Sequence, residues 1–292
     1  MVFNFNKCLT AALLAVALLS VAYIFETRKT DSYADTATYI GGEIVSYNMC
    51  LISDSPVTLS FPLISKENIA SVKLLSIGES ASSHISSTLT FDSTDFITYN
   101  EYNIYNFSIT FQNKSSYAKG YSIEIPKLKL EINDSKFTYK TPDFSLCSDT
   151  YISNNREYMV NSDSLVVVDT NTAYYTLPTT ENLAKCTLKT NDEVTLMNIK
   201  PLSYFNISDF KINNTPADSQ NIYMKLEDNE EFKTSYALNY TDYSYANKIV
   251  KTAMIVKYKV GEQHCLYITN APLYVFPGYS KNFAMERYID NL

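Results

Sequence analysis

The fold class expected from the sequence is mainly β, and three observations lead to it. Tyr reaches 25 residues while Gly falls to 6 and Trp is absent, in a chain otherwise rich in Ile, Thr, Ser and Asn. Tyr, Ile and Thr fit strands, and Ser and Asn fit the turns between them. Apolar residues alternate with polar ones over short runs, most clearly between Tyr121 and Lys140. Beyond the N-terminal apolar stretch, no long Ala/Leu/Glu-rich window reads as a helix.

That stretch is Cys8 to Phe25, CLTAALLAVALLSVAYIF, free of charge and followed at once by Glu26, Arg28 and Lys29. Its eighteen residues would reach about 27 Å as a helix, against a hydrocarbon core of roughly 30 Å. As a signal peptide it would be cleaved after Ala22, releasing a secreted protein. The apolar run continues through Tyr23, Ile24 and Phe25, past that cleavage point and with an aromatic pair suited to a membrane interface. The expectation is therefore a retained transmembrane signal-anchor helix: a single-pass membrane protein with its bulk outside the cytoplasm, at the cell surface.

From there the chain divides into a short tail (1–7), the anchor (8–25), a polar juxtamembrane spacer (26–42) and strand-rich sequence. Strands are expected at Glu43 to Leu51 and Val57 to Leu63, with the turn Asp54-Ser55-Pro56 between them. Ile69 to Ile77 reads as either a strand or a short helix. A Ser-rich loop over 79–88 then leads to short strands near Leu89 to Phe91, Phe96 to Tyr99 and Tyr105 to Gln112. Tyr121, Ile123 and Ile125 alternate with polar residues, and Leu128, Leu130 and Ile132 resume the alternation one residue out of phase. A bulge or sheet edge at Pro126 would absorb the shift. Asn133-Asp134-Ser135 then turns a hairpin toward Phe137 and Tyr139.

The second half echoes the first. Val194-Thr-Leu196 follows Cys186 as Val57-Thr-Leu59 follows Cys50, and Ile207 to Ile212 resembles Ile69 to Leu74. The expectation is two tandem antiparallel β-sandwich (Ig-like) units, 43–147 and 181–292, joined by a connecting segment, 148–180. Cys50, Cys147, Cys186 and Cys265 are an even set that suggests disulfides. One bridge within each half, Cys50 with Cys147 and Cys186 with Cys265, is the simplest of three connectivities.

The formal net charge of -7 argues against nucleic acid as a partner. For hydrolytic chemistry, His84 and His264 are the two imidazoles, one in a small-residue loop and one beside Cys265 on a strand, where neighbours face opposite ways. No GxSxG, HExxH or phosphate-binding glycine loop occurs. The acidic groups Asp92 to Asp95, Asp192-Glu193 and Glu227 to Glu231 could hold Ca2+ but lack an EF-hand pattern; no cofactor is expected. Asn106, Asn113, Asn133, Asn206, Asn213 and Asn239 begin Asn-x-Ser/Thr glycosylation acceptors, no more than this composition produces by chance. Two tyrosine groups, Tyr99, Tyr102 and Tyr105 and then Tyr236, Tyr240, Tyr243 and Tyr245, supply the rigid contact residues of recognition surfaces.

The function expected is non-catalytic interaction: an accessory subunit of a membrane assembly, or an adhesion or ligand-binding protein. Its partners would be other membrane or cell-surface proteins, and the membrane itself through 8–25. The alternatives are an exported carboxylate-dependent hydrolase of cell-surface glycans, and a secreted carbohydrate-binding module.

Overall fold

The computed structural model describes residues 39–52, 55–114, 120–153, 157–160, 163–170, 174–175, 184–277 and 281–292. Strands dominate, as expected. The chain begins with β1 (Tyr39–Ile40), β2 (Val45–Leu51), β3 (Val57–Ser65), β4 (Val72–Ser76), β5 (Ile85–Tyr99) and β6 (Tyr102–Asn113). It continues through β7 (Ser122–Glu124), β8 (Lys127–Ile132), β9 (Ser135–Lys140) and β10 (Asp143–Ser148). Next come β11 (Met159–Val160), β12 (Leu165–Thr170), β13 (Tyr174–Tyr175), β14 (Ala184–Thr190), β15 (Val194–Pro201) and β16 (Phe205–Ile212). The last are β17 (Thr215–Pro216), β18 (Met224–Leu226), β19 (Glu231–Tyr240), β20 (Ile249–Val260) and β21 (Gln263–Pro277). The described α-helices are short: Glu79–His84, Asp149–Ile152 and Lys281–Ile289.

These strands form four sheets. The central one runs β11-β21-β20-β2-β10-β7, with β15 on β20, β18 on β15 and β13 on β21. A four-stranded sheet has the order β1-β3-β6-β5, a five-stranded one β12-β14-β19-β16-β17, and a three-stranded one β4-β8-β9. β20 ties the sequence together. One of its edges pairs with β21; the other holds β2 along Ile249 to Thr252 and β15 along Met254 to Lys259. Its residues are buried almost throughout, as a strand covered on both faces requires.

Most pairings are antiparallel, but β2 lies parallel to both β10 and β20, and β11 and β13 lie parallel to β21. Parallel neighbours need a long crossover, and the whole of β3 to β9 lies between β2 and β10. The echoed segments also take unlike partners. β3 pairs with β1 and β6, whereas β15 pairs with β18 and β20.

The two phases of Tyr121 to Ile132 belong to two sheets. β7 pairs with β10 in the central sheet, and β8 pairs with β4 and β9 in the three-stranded one. Ile125-Pro126 is thus a corner: Ile125 N–H donates to Phe144 O, and Thr141 fastens both residues through its hydroxyl to Ile125 O and its N–H to Pro126 O. The hairpin at Asn133-Asp134 forms as expected, with both residues at positive φ (47° and 65°). That is the conformation of a two-residue hairpin turn whose twist matches the strands.

Three apolar clusters fill the interior. The largest gathers β2 to β10, Ile249 and the C-terminal helix around Phe61, whose ring meets Phe107, Tyr47, Phe144 and Tyr139 at centroid distances of 5.4 to 6.4 Å. A second gathers β12 to β21. A small third one, Cys50, Cys147, Ala253, Ile255, Leu266 and Ile268, mixes residues of β2, β10, β20 and β21.

The sequence-based localisation is corrected here. Among the described residues no helix is long and apolar enough to cross a membrane, so placement as a single-pass membrane protein at the cell surface has no support in the structure. The segment expected to span, Cys8 to Phe25, lies outside the described residues, as does the spacer up to Thr38. Tyr39 and Ile40, assigned to that spacer, instead form β1 against Ser65 and Ile64.

Candidate functional site

The β5–β6 hairpin forms one end of the four-stranded sheet. β5 is fifteen residues long and ends its sheet. Its inner edge pairs with β6; among the described residues no strand pairs with its outer edge. The strands expected near Leu89 to Phe91 and Phe96 to Tyr99 are parts of β5, and that near Tyr105 to Gln112 lies within β6; β5 also takes in Ile85 to Thr88, which were expected in the Ser-rich loop. The helix Glu79–His84 occupies most of that loop, and β5 starts directly after it. Ile85, Leu89 and Phe91 then alternate inward with exposed Ser86, Thr88 and Thr90.

Register turns that alternation into a flat hydroxyl face. Thr58, Thr110 and Thr88 lie side by side across β3, β6 and β5, and Ser60, Ser108 and Thr90 form the next row. Thr58 and Thr110 hydroxyls are 2.9 Å apart and hydrogen-bonded. Gln112 and Ser86 extend the face at one end, Pro62 and Asn106 at the other, and none of these residues is charged. On the opposite side of the same strands, Leu59, Ile109, Phe61 and Phe107 enter the core.

Beyond Phe91 the ladder is interrupted. Phe91 pairs with Phe107 and Phe96 with Tyr105, so Asp92 to Asp95 bulge out opposite the single residue Asn106. Asp92 Oδ1 accepts from the Thr94 N–H and hydroxyl at 2.8 and 2.7 Å, and these bonds hold its carboxyl below the usual range. At the tip, Phe96 and Ile97 are exposed by 41% and 37%, which leaves apolar surface on both faces of the strand. Lys66 pairs with Glu101 and sits 5.0 Å from the Tyr102 ring centroid, while Tyr99 OH donates to Asp290 at 3.0 Å. Those bonds fasten the tip to the body.

The seven tyrosines nominated from sequence do not form one surface. Tyr105 is buried, and its hydroxyl accepts from Ile69 N–H at 3.1 Å; Tyr236 is buried against Phe210. Tyr240 packs on Phe205 at 5.1 Å, and Tyr245 lies edge-on to Tyr204 at 4.8 Å. Tyr99 and Tyr102 flank the hairpin tip, and Tyr243 stands out into solvent.

The acceptor asparagines also differ. Asn206, Asn213 and Asn239 are exposed. Asn113 is engaged: its Nδ2 donates to Leu51 O at 2.9 Å and its Oδ1 accepts from Tyr121 OH. Asn133 accepts from Ala70 and Ser71 N–H and donates to Asn68 O, and Asn106 is half-buried beside the bulge.

The four described cysteines are buried thiols, and no disulfide joins them, which corrects the bridged state expected from their even number. Cys50 and Cys147 are nonetheless register partners on β2 and β10, with their thiols hydrogen-bonded to each other. Cys186 and Cys265 lie on β14 and β21, strands of different sheets. His84 stacks on Tyr121 at 4.9 Å, and His264 lies edge-on to Tyr158 at 5.5 Å. Of the other acidic groups, Asp192 accepts from Ser164 OH, Glu193 pairs with Lys225, and Glu230 accepts from Glu227 N–H. Among the described residues no group of three His, Cys, Asp or Glu side chains is placed to hold a metal ion.

The described residues thus form a many-stranded β protein in which no described strand pairs with the outer edge of β5. No family model and no curated protein matches the chain. Among solved structures it is similar to the endo-fucoidan hydrolase MfFcnA4 of glycoside hydrolase family 107 (9% identity, TM-score 0.21, 78% of this chain and 27% of that one). It is also similar to the secreted serine protease VesC of Vibrio cholerae (10% identity, TM-score 0.20, 78% and 50%). A third is the C-terminal domain of the AgI/II polypeptide BspA of Streptococcus agalactiae (8% identity, TM-score 0.18, 76% and 95%). The chain thus spans 27% and 50% of the first two structures' lengths. Scores this low carry no argument about fold or function.

Proposed function

We propose that this is a non-catalytic interaction protein that takes an extended segment of a partner protein as an added strand along β5. What supports the reading is the long edge strand whose regular part, Ile85 to Phe91, carries an exposed, uncharged Ser/Thr row and no described partner. In strand addition, main-chain hydrogen bonds supply affinity and alternate side chains supply specificity. Natural sheets guard such edges with charge, proline or bulges. Here the one bulge, Asp92 to Asp95, lies beyond Phe91, so it bounds the docking stretch and leaves it open. Phe96 and Ile97 would anchor the partner's end. The finer architecture belongs to the same proposal: two sandwich-like units, each around one of the two large clusters, with the central sheet shared between them.

A photo-crosslinking residue at Thr90 tests this in two stages. The adduct identifies a polypeptide partner, which is then purified and titrated against the wild-type protein and against a Thr88→Lys/Thr90→Lys variant. Two lysines on the docking row should weaken binding about tenfold or more, whereas Lys at Thr195, on β15, should leave it unchanged. Absence of any polypeptide adduct, or equal affinity for both proteins, would contradict the proposal.

A further inference from the structure

Cys50 and Cys147 are 97 residues apart in sequence yet directly opposite in the parallel ladder of β2 and β10. Directly paired residues of neighbouring strands stand about 4.7–4.9 Å apart, inside the roughly 4.4–6.8 Å that a disulfide spans between Cα atoms. Their side chains leave the sheet on the same face, into the small cluster with Ala253, Ile255, Leu266 and Ile268. The thiols are hydrogen-bonded to one another, and Cys147 Sγ also reaches Met49 O at 3.6 Å. Such proximity is not what packing alone demands of two small apolar residues.

We propose that Cys50 and Cys147 are a dithiol site that low-molecular-weight disulfides, such as oxidised glutathione, convert to a crosslink between β2 and β10. Cys147 sulfur attacks one sulfur of the oxidant and forms a mixed disulfide, and the first glutathione leaves as a thiolate. Cys50 sulfur then attacks Cys147 sulfur, and the second glutathione leaves. The two cysteines are oxidised, the oxidant is reduced to two thiols, and the two protons lost by the cysteines end on those thiols.

Burial sets when this happens. Both side chains are enclosed, and the Cys50 thiol is pushed well up by its hydrogen bond to Cys147, by burial, and by the negative charge of Asp149. Closed, the pair is therefore unreactive. The outer edge of β10 at Cys147 is covered by β7, a three-residue edge strand whose Ser122 pairs with Cys147. An edge strand that short opens without global unfolding, and its opening delivers Cys147 before Cys50. Cys186 and Cys265, on different sheets, lack this juxtaposition. The site is independent of β5.

The test is to equilibrate the full-length protein carrying Cys8→Ala, which leaves Cys50, Cys147, Cys186 and Cys265, with excess oxidised glutathione in urea below its unfolding midpoint, quench with alkylating reagent, and map peptides without reduction. The expected result is a linked Cys50–Cys147 peptide pair, two glutathione thiols released per chain, and Cys186 and Cys265 recovered alkylated. The same link should form in a Cys186→Ala/Cys265→Ala variant, and the linked protein should melt about 5–10 °C higher. A persistent glutathione adduct on Cys147, a bridge to Cys186 or Cys265, or four alkylated thiols would each overturn the assignment.

Discussion

Asn133 occupies a left-handed position at φ 47°, where its side chain also closes the loop below it. Its Oδ1 accepts from Ala70 and Ser71 N–H at 2.8 and 3.3 Å, and its Nδ2 donates to Asn68 O at 2.8 Å. The same residue starts a glycosylation acceptor, but its amide nitrogen is already committed. In a host that glycosylates, Asn206 and Asn213 should carry sugar in the folded protein, with Asn113, Asn133 and Asn239 (whose Nδ2 donates to Ser208 Oγ at 2.7 Å) unmodified; glycopeptide mapping reads this directly. Asn133→Ala loses those bonds, and with them the local side-chain bonding that lets Asn occupy the left-handed region, and should cost about 1–3 kcal/mol by urea denaturation. Phe61, touching four other rings, should cost about 3–5 kcal/mol when cut to Ala. Tyrosines were legible as residues that prefer strands but not as surface or core. An alternation in sequence does not say which face is buried, and Tyr105 and Tyr236 turned inward.

At the scale of elements, local pattern was a good guide where partners are close in sequence. β8 and β9 and their turn were readable because alternation and turn chemistry sit within about twenty residues. The phase slip at Pro126 was readable too, although its cause, a change of sheet, was not. β2 was misleading. Val45, Tyr47, Met49 and Leu51 alternate with Ser46, Asn48 and Cys50 like a half-exposed strand, yet both faces are covered. Ser46 is accommodated by a 3.4 Å hydrogen bond to Asp143, itself paired with Lys248. Parallel pairing across nearly a hundred residues leaves no local periodicity to read. The start of β5, Ile85 to Thr88, was missed for a different reason: it falls in a Ser-rich run with the composition of a loop, and the strand was expected only from Leu89. The corner itself is testable. Thr141→Val removes the only side-chain hydroxyl bond to Ile125 O described there, leaves a buried carbonyl short of a donor, and should destabilise by about 1–3 kcal/mol.

For the molecule as a whole, burial of phenols and thiols sets an alkaline limit. Cys186, Tyr240 and Tyr288 are each pushed up to about 12, chiefly by burial, from ordinary values of 9.0 for the thiol and 10.0 for the phenols. The fold thus favours their protonated forms. Their contribution is fully present below about pH 9, and is lost as pH rises from there toward 12 because the unfolded chain releases protons first. Thermal unfolding should be flat across neutrality on this account and fall steeply above pH 9–10. A melting temperature that stays level to pH 12 would rule the effect out. The strands of both halves meet on β20, so β5, whose outer edge pairs with no described strand, belongs to a body braced from the far end of the sequence. Amide hydrogen exchange along β5, in the free protein and with the crosslinked partner bound, addresses that edge most directly. Alternate amides from Ile85 to Phe91 should exchange fast in the free protein, against protected neighbours on β6, and should become protected in the complex. Uniform protection of β5 in the free protein, or no change on binding, would contradict strand addition at this edge.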